Sequence, residues 1–285
     1  MSRVQVNDPT RPRSGPRKMA ARLTPHGAGW LLLAVLSTTA GAVDIIGFLA
    51  LGGLFTAHIT GNVVTLAAHY VVGGFSKFGP LLSVPVFVAV LGAVTLASGA
   101  IRKVGYSSRR PLLVLQAALL AACLGIGVGF GPFADPGRPM AVLVGMLGVA
   151  AMATQNALIR LALPGAPSTA VITMNITQLT VDLTTLAQGL GESGDLASIR
   201  HRARQTSTCV FGFVAGCAAG AALEVHFGLW ALSVPAALAG LAIPLGETWG
   251  SSSCAQPKSY GETSYSWSSQ KSSHRESRRK KKCSE

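Results

Sequence analysis

Charge is what this sequence has least of. Only 12% of its 285 residues are Asp, Glu, Lys or Arg, about half the share usual in soluble domains. Acidic residues are scarcer still, at 11 against 24 Lys and Arg. So thin a polar coat excludes an ordinary soluble globular domain. Catalytic signatures are missing too. There is no nucleophile elbow, P-loop, zinc-binding helix motif or dinucleotide loop, and the alternating glycines at 125–131 lie inside an apolar run without the strand–turn–helix setting of a phosphate cradle. No enzyme activity and no cofactor are therefore expected. The five cysteines form no CxxC pair and three of them lie in apolar runs. They read as small buried apolar residues, not as a disulfide framework or a metal set.

The net charge of +13 raises nucleic acid as a partner, and the charge map excludes it. The basic residues crowd into the two ends of the chain and into short clusters between apolar runs. That is tail and loop charge, not a basic face on a folded domain.

Apolar sequence is what is present. Hydrophobic residues make up 49% of the chain and the mean hydropathy is +0.44. Six runs are candidates to cross a hydrocarbon core of about 30 Å: residues 30–51, 81–101, 111–131, 139–159, 206–225 and 229–245. A signal peptide is the rival reading of the first, but apolar sequence continues past the small-residue Ala40-Gly41-Ala42 to Leu51, which favours a retained span. Gly212, Gly216 and Gly220 form a small-residue ridge, expected to pack a helix within the molecule, with a homo-oligomer face as the alternative. Residues 1–27 and 249–285 read as disordered basic tails flanking a membrane domain at 28–248. The second tail is suited to anionic lipid headgroups.

A polar stretch interrupts this pattern twice. Residues 56–66 (Thr-Ala-His-Ile-Thr-Gly-Asn-Val-Val-Thr-Leu) share a frame with residues 169–179, with identical pairs Thr56/Thr169, Ala57/Ala170, Ile59/Ile172, Thr60/Thr173, Asn62/Asn175 and Leu66/Leu179. An internal duplication is expected, with halves at about 28–131 and 139–247. The positive-inside rule decides whether the two stretches cross. If neither does, and the amino end is cytoplasmic, only Lys77 and Arg138 of the basic residues fall outside. Six spans with two broken or re-entrant helices is thus the expected architecture, both termini cytoplasmic. Three spans per half then set the halves in inverted orientation, the plan of many secondary transporters.

The candidate pathway residues follow. Asp44 lies within the first span and Asp182 within the second polar stretch. Intramembrane carboxylates are costly and usually face a cavity or a partner. The functional reading is proton or cation coupling, or binding of a cationic group; the plainer one is a carboxylate that caps a broken helix. Gly61 is expected to permit an unwound backbone, with Thr60 or Asn62 capping the helix that follows; Thr173 and Asn175 repeat the pattern with Met174 in place of the glycine. The repeat sets Asp182 against His69, and Asp44 against Asn156 with one residue gapped. Gln155 and Asn156 are site polar groups or interhelical donors. His58 and His69 read as lone interfacial or core histidines, with no carboxylate nearby to complete a metal set.

At these residues the sequence resembles the YoaK-like family of bacterial integral-membrane proteins. The resemblance rests on 40–48 (Ala-Gly-Ala-Val-Asp-Ile-Ile-Gly-Phe), 51–62 through Thr60-Gly61-Asn62, 151–157 (Ala-Met-Ala-Thr-Gln-Asn-Ala) and 169–175, within roughly 28–247. Members usually carry a glycine where Met174 stands. The resemblance implies a bacterial plasma-membrane protein and supplies no substrate. The reading as a whole is an all-α polytopic transmembrane bundle, surrounded by membrane lipid. It would transport a small molecule or ion past Asp44, Thr60, Gly61, Asn62, Gln155, Asn156, Thr173, Asn175 and Asp182. A non-transporting membrane scaffold or sensor is the alternative.

Overall fold

A computed structural model describes residues 25–73, 77–189 and 193–248. The expected tails at 1–27 and 249–285 lie outside these, apart from the first residues of the opening helix. Eight α-helices follow one another: α1 Pro25–Ala50, α2 Ile59–Val72, α3 Phe78–Lys103, α4 Arg109–Phe130, α5 Pro139–Ala162, α6 Ile172–Gln188, α7 Ser193–Phe227 and α8 Ser233–Thr248. A 3-10 turn, Gly228–Leu232, links the last two. Six of these carry the six expected spans, although α8, with 16 residues, reaches that length only together with the 3-10 turn before it. The remaining two, α2 and α6, have 14 and 17 residues, or about 21 and 25 Å, short of the roughly 30 Å of a bilayer core. The fold is an all-α membrane bundle.

One boundary differs clearly from expectation. Arg200, Arg202 and Arg204 were read as a loop cluster, and they lie inside α7, a helix of 35 residues. Leu196, Ala197, Ile199 and Ala203 intersperse the charges with helix-compatible residues, and neither Gly nor Pro falls between Gly194 and Gly212. At about 52 Å, α7 is longer than a bilayer core is thick.

Helix α1 is the centre of the bundle, with 72% of its apolar window buried. It packs on α7 and α8, while α5 packs on α3 and α4; α4 meets α8, α2 lies on α3, and α6 lies on α7. The glycine ridge of α7 makes the α1 contact possible. A Cβ on Gly216 would collide with the Thr38 carbonyl oxygen, and one on Gly212 would stand 3.1 Å from the Ala34 carbonyl oxygen. From the other side, a Cβ on Gly41 would collide with the Phe213 carbonyl oxygen. Backbones this close gain dispersion contacts that larger side chains would forbid, which is the main attraction available between helices in lipid.

The core is layered along α1. Leu32, Leu33 and Leu36 pack with Leu113 and Leu158 in one layer, and Ile46, Leu51 and Leu54 pack with Val144 and Leu232 in another. Between them lies a layer of mostly small side chains: Ala40, Val43, Ala151, Met152, Phe213 and Ala239, together with Ala57 and Ala170. These last two come from the segments that precede α2 and α6. Both chain breaks therefore reach the same middle layer.

Candidate functional site

The first break is made by the end of α1. Gly52 and Gly53 adopt φ values of +66° and +85°, a left-handed backbone that favours glycine. The Gly53 amide donates back to the Phe48 carbonyl at 2.9 Å, the six-to-one bond that closes many glycine-terminated helices. The unwinding thus sits at Gly52–Gly53 and not at Gly61, where it was expected. Gly61 lies in the first turn of α2. Its lack of a side chain answers to packing, because a Cβ there would stand 2.8 Å from the Phe55 ring.

The chain emerging from this turn is held by two side chains. Asp44, 3% exposed, receives three successive backbone amides on Oδ1, from Thr56 at 2.8 Å, Ala57 at 2.6 Å and His58 at 3.3 Å. The Thr56 hydroxyl donates to the same oxygen at 3.4 Å. Oδ2 lies 2.7 Å from His58 Nδ1. Successive amides converging on a carboxylate form an anion nest, and they offset much of the cost of burying the charge. Asn62 is the second clasp. It is fully buried, accepts the Phe55 amide on Oδ1 at 2.8 Å and donates from Nδ2 to the Phe55 carbonyl at 2.7 Å. No side chain caps α2. The capping role expected of Thr60 or Asn62 is therefore absent: Asn62 reaches back seven residues instead, and Thr60 is exposed.

The second break has the same plan with other groups. Gly165 has φ +79° and follows Pro164, which cannot extend α5 in register. Asn175 Nδ2 donates to the Ser168 carbonyl at 2.5 Å, again seven residues back. Ser168 Oγ accepts the amides of Ala170 at 3.4 Å and Val171 at 3.1 Å. By the repeat, these amides correspond to those of Ala57 and His58. Gln155 bridges across: Nε2 donates to Thr169 Oγ1 at 2.7 Å and to the Leu36 carbonyl at 3.0 Å, while Oε1 accepts from Gln116 Nε2 at 2.6 Å. Asp44 reaches Thr56 and Gln155 reaches Thr169. Gln155, not Asn156, therefore does the work of Asp44 in this half. Asn156 donates within its own helix to the Met152 carbonyl at 2.9 Å, because a shift of one residue turns it by about 100° from the break.

The other expected residues lie elsewhere. Thr173 is exposed at the start of α6, and its carbonyl accepts the Thr177 hydroxyl at 3.0 Å. Asp182 is 1% exposed and is clasped by Arg202, whose Nε stands 2.9 Å from Oδ2, with Gln178 donating to Oδ1 at 2.8 Å. It ties α6 to α7 and takes no part in the break. His58, read as a lone histidine, is the partner of Asp44. The fourteen-residue separation in sequence vanishes once the chain folds back, and no spacing rule exposes such a pair. Comparing the halves offered one signal, since Val171 stands where His58 does. Gln116, an amide inside an otherwise apolar run, was not singled out.

The chain matches, over residues 32–245, the family described as proteins of unknown function, DUF1275. The chain belongs to the DUF1275 family. A 35-residue segment is 60% identical to "UPF0700 transmembrane protein YoaK" of Bacillus subtilis (strain 168), covering 12% of this chain and 16% of that protein. No solved structure matches. The DUF1275 region spans α1 to α8 and includes both breaks with all their hydrogen-bonding partners. It and the apolar helices place the chain among multi-pass membrane proteins.

Proposed function

We propose that this protein is a small-molecule transporter or permease built by internal duplication, with its site where the two breaks meet. One observation carries the reading. Ala57 and Ala170, from segments 113 residues apart, occupy the same middle layer of the core. Broken helices that meet at mid-height are the usual site architecture of inverted-repeat carriers. The helix partners support the duplication: exchanging α1 with α5, α2 with α6, α3 with α7 and α4 with α8 returns the same set of packed α-helix pairs.

In this reading Asp44, His58, Gln155 and Thr169 supply the polar groups. Asn62 and Asn175 hold the breaks in shape, and Thr60, Gly61, Asn156 and Thr173 flank them. Beside Thr56 and Gly148 there is a void of only about 10 Å³, about the room for one water. The arrangement is a closed one, and a solute needs the breaks to move apart. Counterflow into proteoliposomes with a metabolite panel tests the proposal. Movement of a solute that Asp44→Asn abolishes supports it. A panel without bound or moved solute, joined to an unchanged cellular phenotype of Asp44→Asn, ends it.

The membrane in this reading is the bacterial plasma membrane, with both termini cytoplasmic. Single cysteines at Lys77 and Ser107 should label from opposite sides, Ser107→Cys from the cytoplasm. Labelling of Ser107→Cys from outside overturns the inverted arrangement. The closed packing of both breaks favours a second reading, a membrane scaffold or sensor. Deleting 249–285 separates the two, because a transporter should survive the loss and a scaffold that uses the basic tail should not.

A further inference from the structure

We propose that Asp44 and His58 form a proton-binding site that sets how firmly the first break is held. The proton site stands on its own geometry; its use in coupling rests on the transport reading above.

The two breaks supply the comparison. In the second half, the amides of Ala170 and Val171 are satisfied by a neutral hydroxyl, Ser168 Oγ, and the threonine is reached by a neutral amide, Gln155. This backbone shape therefore does not require a charge. The first half nevertheless places a carboxylate there, 3% exposed, on the corresponding amides. Burying a charge inside a membrane protein is costly, and an uncharged solution is present in the same molecule. The carboxylate's other oxygen faces the one common side chain that titrates near neutral pH. The His58 side chain is 34% exposed while Asp44 is buried, so the ring lies at the outer end of the pair and the carboxylate grips the backbone within.

Few other ionisable groups face the pair. On α7, Phe213 meets the His58 ring edge-on at 5.1 Å, and Cys217 donates its thiol to the Gly41 carbonyl at 3.4 Å. The nearest charged side chains along α7 are Arg204 and Glu224, nine residues before and eleven after Phe213. On α5 the nearest is Arg160 and on α8 Glu247, both near helix ends; α2 contributes His69, eleven residues beyond His58. The pair is thus set well apart from the other charged side chains of these elements.

The proton balance is simple. With neutral His58 donating from Nδ1 to Oδ2, the pair carries one negative charge. One proton taken up at the ring makes the pair neutral overall. If the Nδ1 proton then passes to Oδ2, Oδ1 becomes the carbonyl oxygen of a neutral acid. Hydrogen bonds to a charged acceptor are roughly twice as strong as neutral ones, so the hold on the amides of residues 56–58 weakens. Loss of one proton reverses each step, and no other bond changes.

Hydrogen exchange of the full-length protein in nanodiscs, corrected for intrinsic rates, tests the site. Peptides covering 51–58 should lose protection by about tenfold between about pH 8 and about pH 5. Peptides covering 163–171 should not respond. In Asp44→Asn the first segment should be less protected and insensitive to pH; in His58→Gln its response should move to lower pH. Equal responses of the two segments, no response in the wild-type protein, or a full response in Asp44→Asn each overturn the proposal. If Asp44→Asn does not fold, the comparison of the two segments within the wild-type protein decides. A pH response without solute movement in proteoliposomes removes the transport reading and leaves the proton site. Solute movement without a pH response does the reverse.

Discussion

At the scale of single residues, the two halves solve one packing problem in opposite ways. In the first, bulk sits in the break as Phe55, and the helix answers with Gly61, against which the ring packs. In the second, the corresponding positions are Ser168 and Met174, with bulk moved from the break to the helix. Met174 is itself 65% exposed, so it does not refill the place of the ring; it is tolerated because Ser168 leaves no ring for it to meet. Gly61→Met alone should destabilise the protein by about 1–3 kcal/mol through overpacking. Phe55→Ser alone should cost about 3–5 kcal/mol through the cavity it leaves. The double variant should be more stable than the sum of the two predicts, by about 1–3 kcal/mol. Recovery will be incomplete, because Phe55 also stacks on Phe48 with ring centroids 4.8 Å apart. Thermal unfolding of purified protein in detergent measures all three; strict additivity would show that the two positions do not communicate.

A second residue-scale prediction concerns Asp182. Arg202→Ala leaves a carboxylate that is 1% exposed with Gln178 as its remaining side-chain donor. Uncompensated buried charges cost about 3–5 kcal/mol. The Arg202 side chain is itself 51% exposed, which places the loss at the low end of that range. Pairing Arg202→Ala with Asp182→Asn should recover most of the stability, in the same unfolding measurement. No recovery would mean that the arginine acts through packing alone.

Elements were more legible than their junctions. Hydropathy locates the five helices of 22 residues or more, and α8 with its 3-10 turn, because a span in lipid must be apolar over its whole length. It misplaced the start of α7, where the deciding property is helix propensity outside the apolar run. The hinge was misread for a related reason. The repeated motif drew attention to Gly61, while the glycines that turn the chain, Gly52 and Gly53, lie just before the repeated frame and have Gly165 alone as a left-handed counterpart. Asp44 and Asn62 stood out as polar residues in apolar surroundings. Their partners did not, because the amides of residues 56–58 and the Phe55 backbone carry no side-chain signal. The α1–α7 seam, in contrast, was readable from its glycine spacing. Gly216→Val should force α1 and α7 apart and abolish the folded protein, whereas Gly240→Ala on α8, where a Cβ would meet nothing within 4 Å, should be tolerated within about 0.5 kcal/mol. Size-exclusion profiles of fluorescent fusions in detergent compare the two directly.

At the scale of the whole molecule, each half completes the other. α1 finds its main partners in the second half, and α5 finds its own in the first. Neither half buries its own first helix. Expressed separately, 1–131 and 132–285 should each be sensitive to protease, and coexpression should restore a resistant complex. Resistance of either half alone would show that the halves are independent units.

The position of α1 also sets the order in which the protein can be finished. Of the described helices it leaves the ribosome first, and its packing surfaces belong to α7 and α8, the last two of them. At the usual rate of about 5–20 residues per second, roughly 150 residues of further synthesis keep α1 waiting for about 8–30 s. During that interval the Gly41 groove is uncovered. Asp44, however, can already close on the amides of 56–58, because that contact needs only the next few residues of the chain. The carboxylate thus enters the bilayer with its partners supplied locally, long before the bundle exists to shelter it. A nascent chain halted before residue 193 should therefore hold α1 in the membrane but leave it open to whichever insertion factor accompanies unfinished helices.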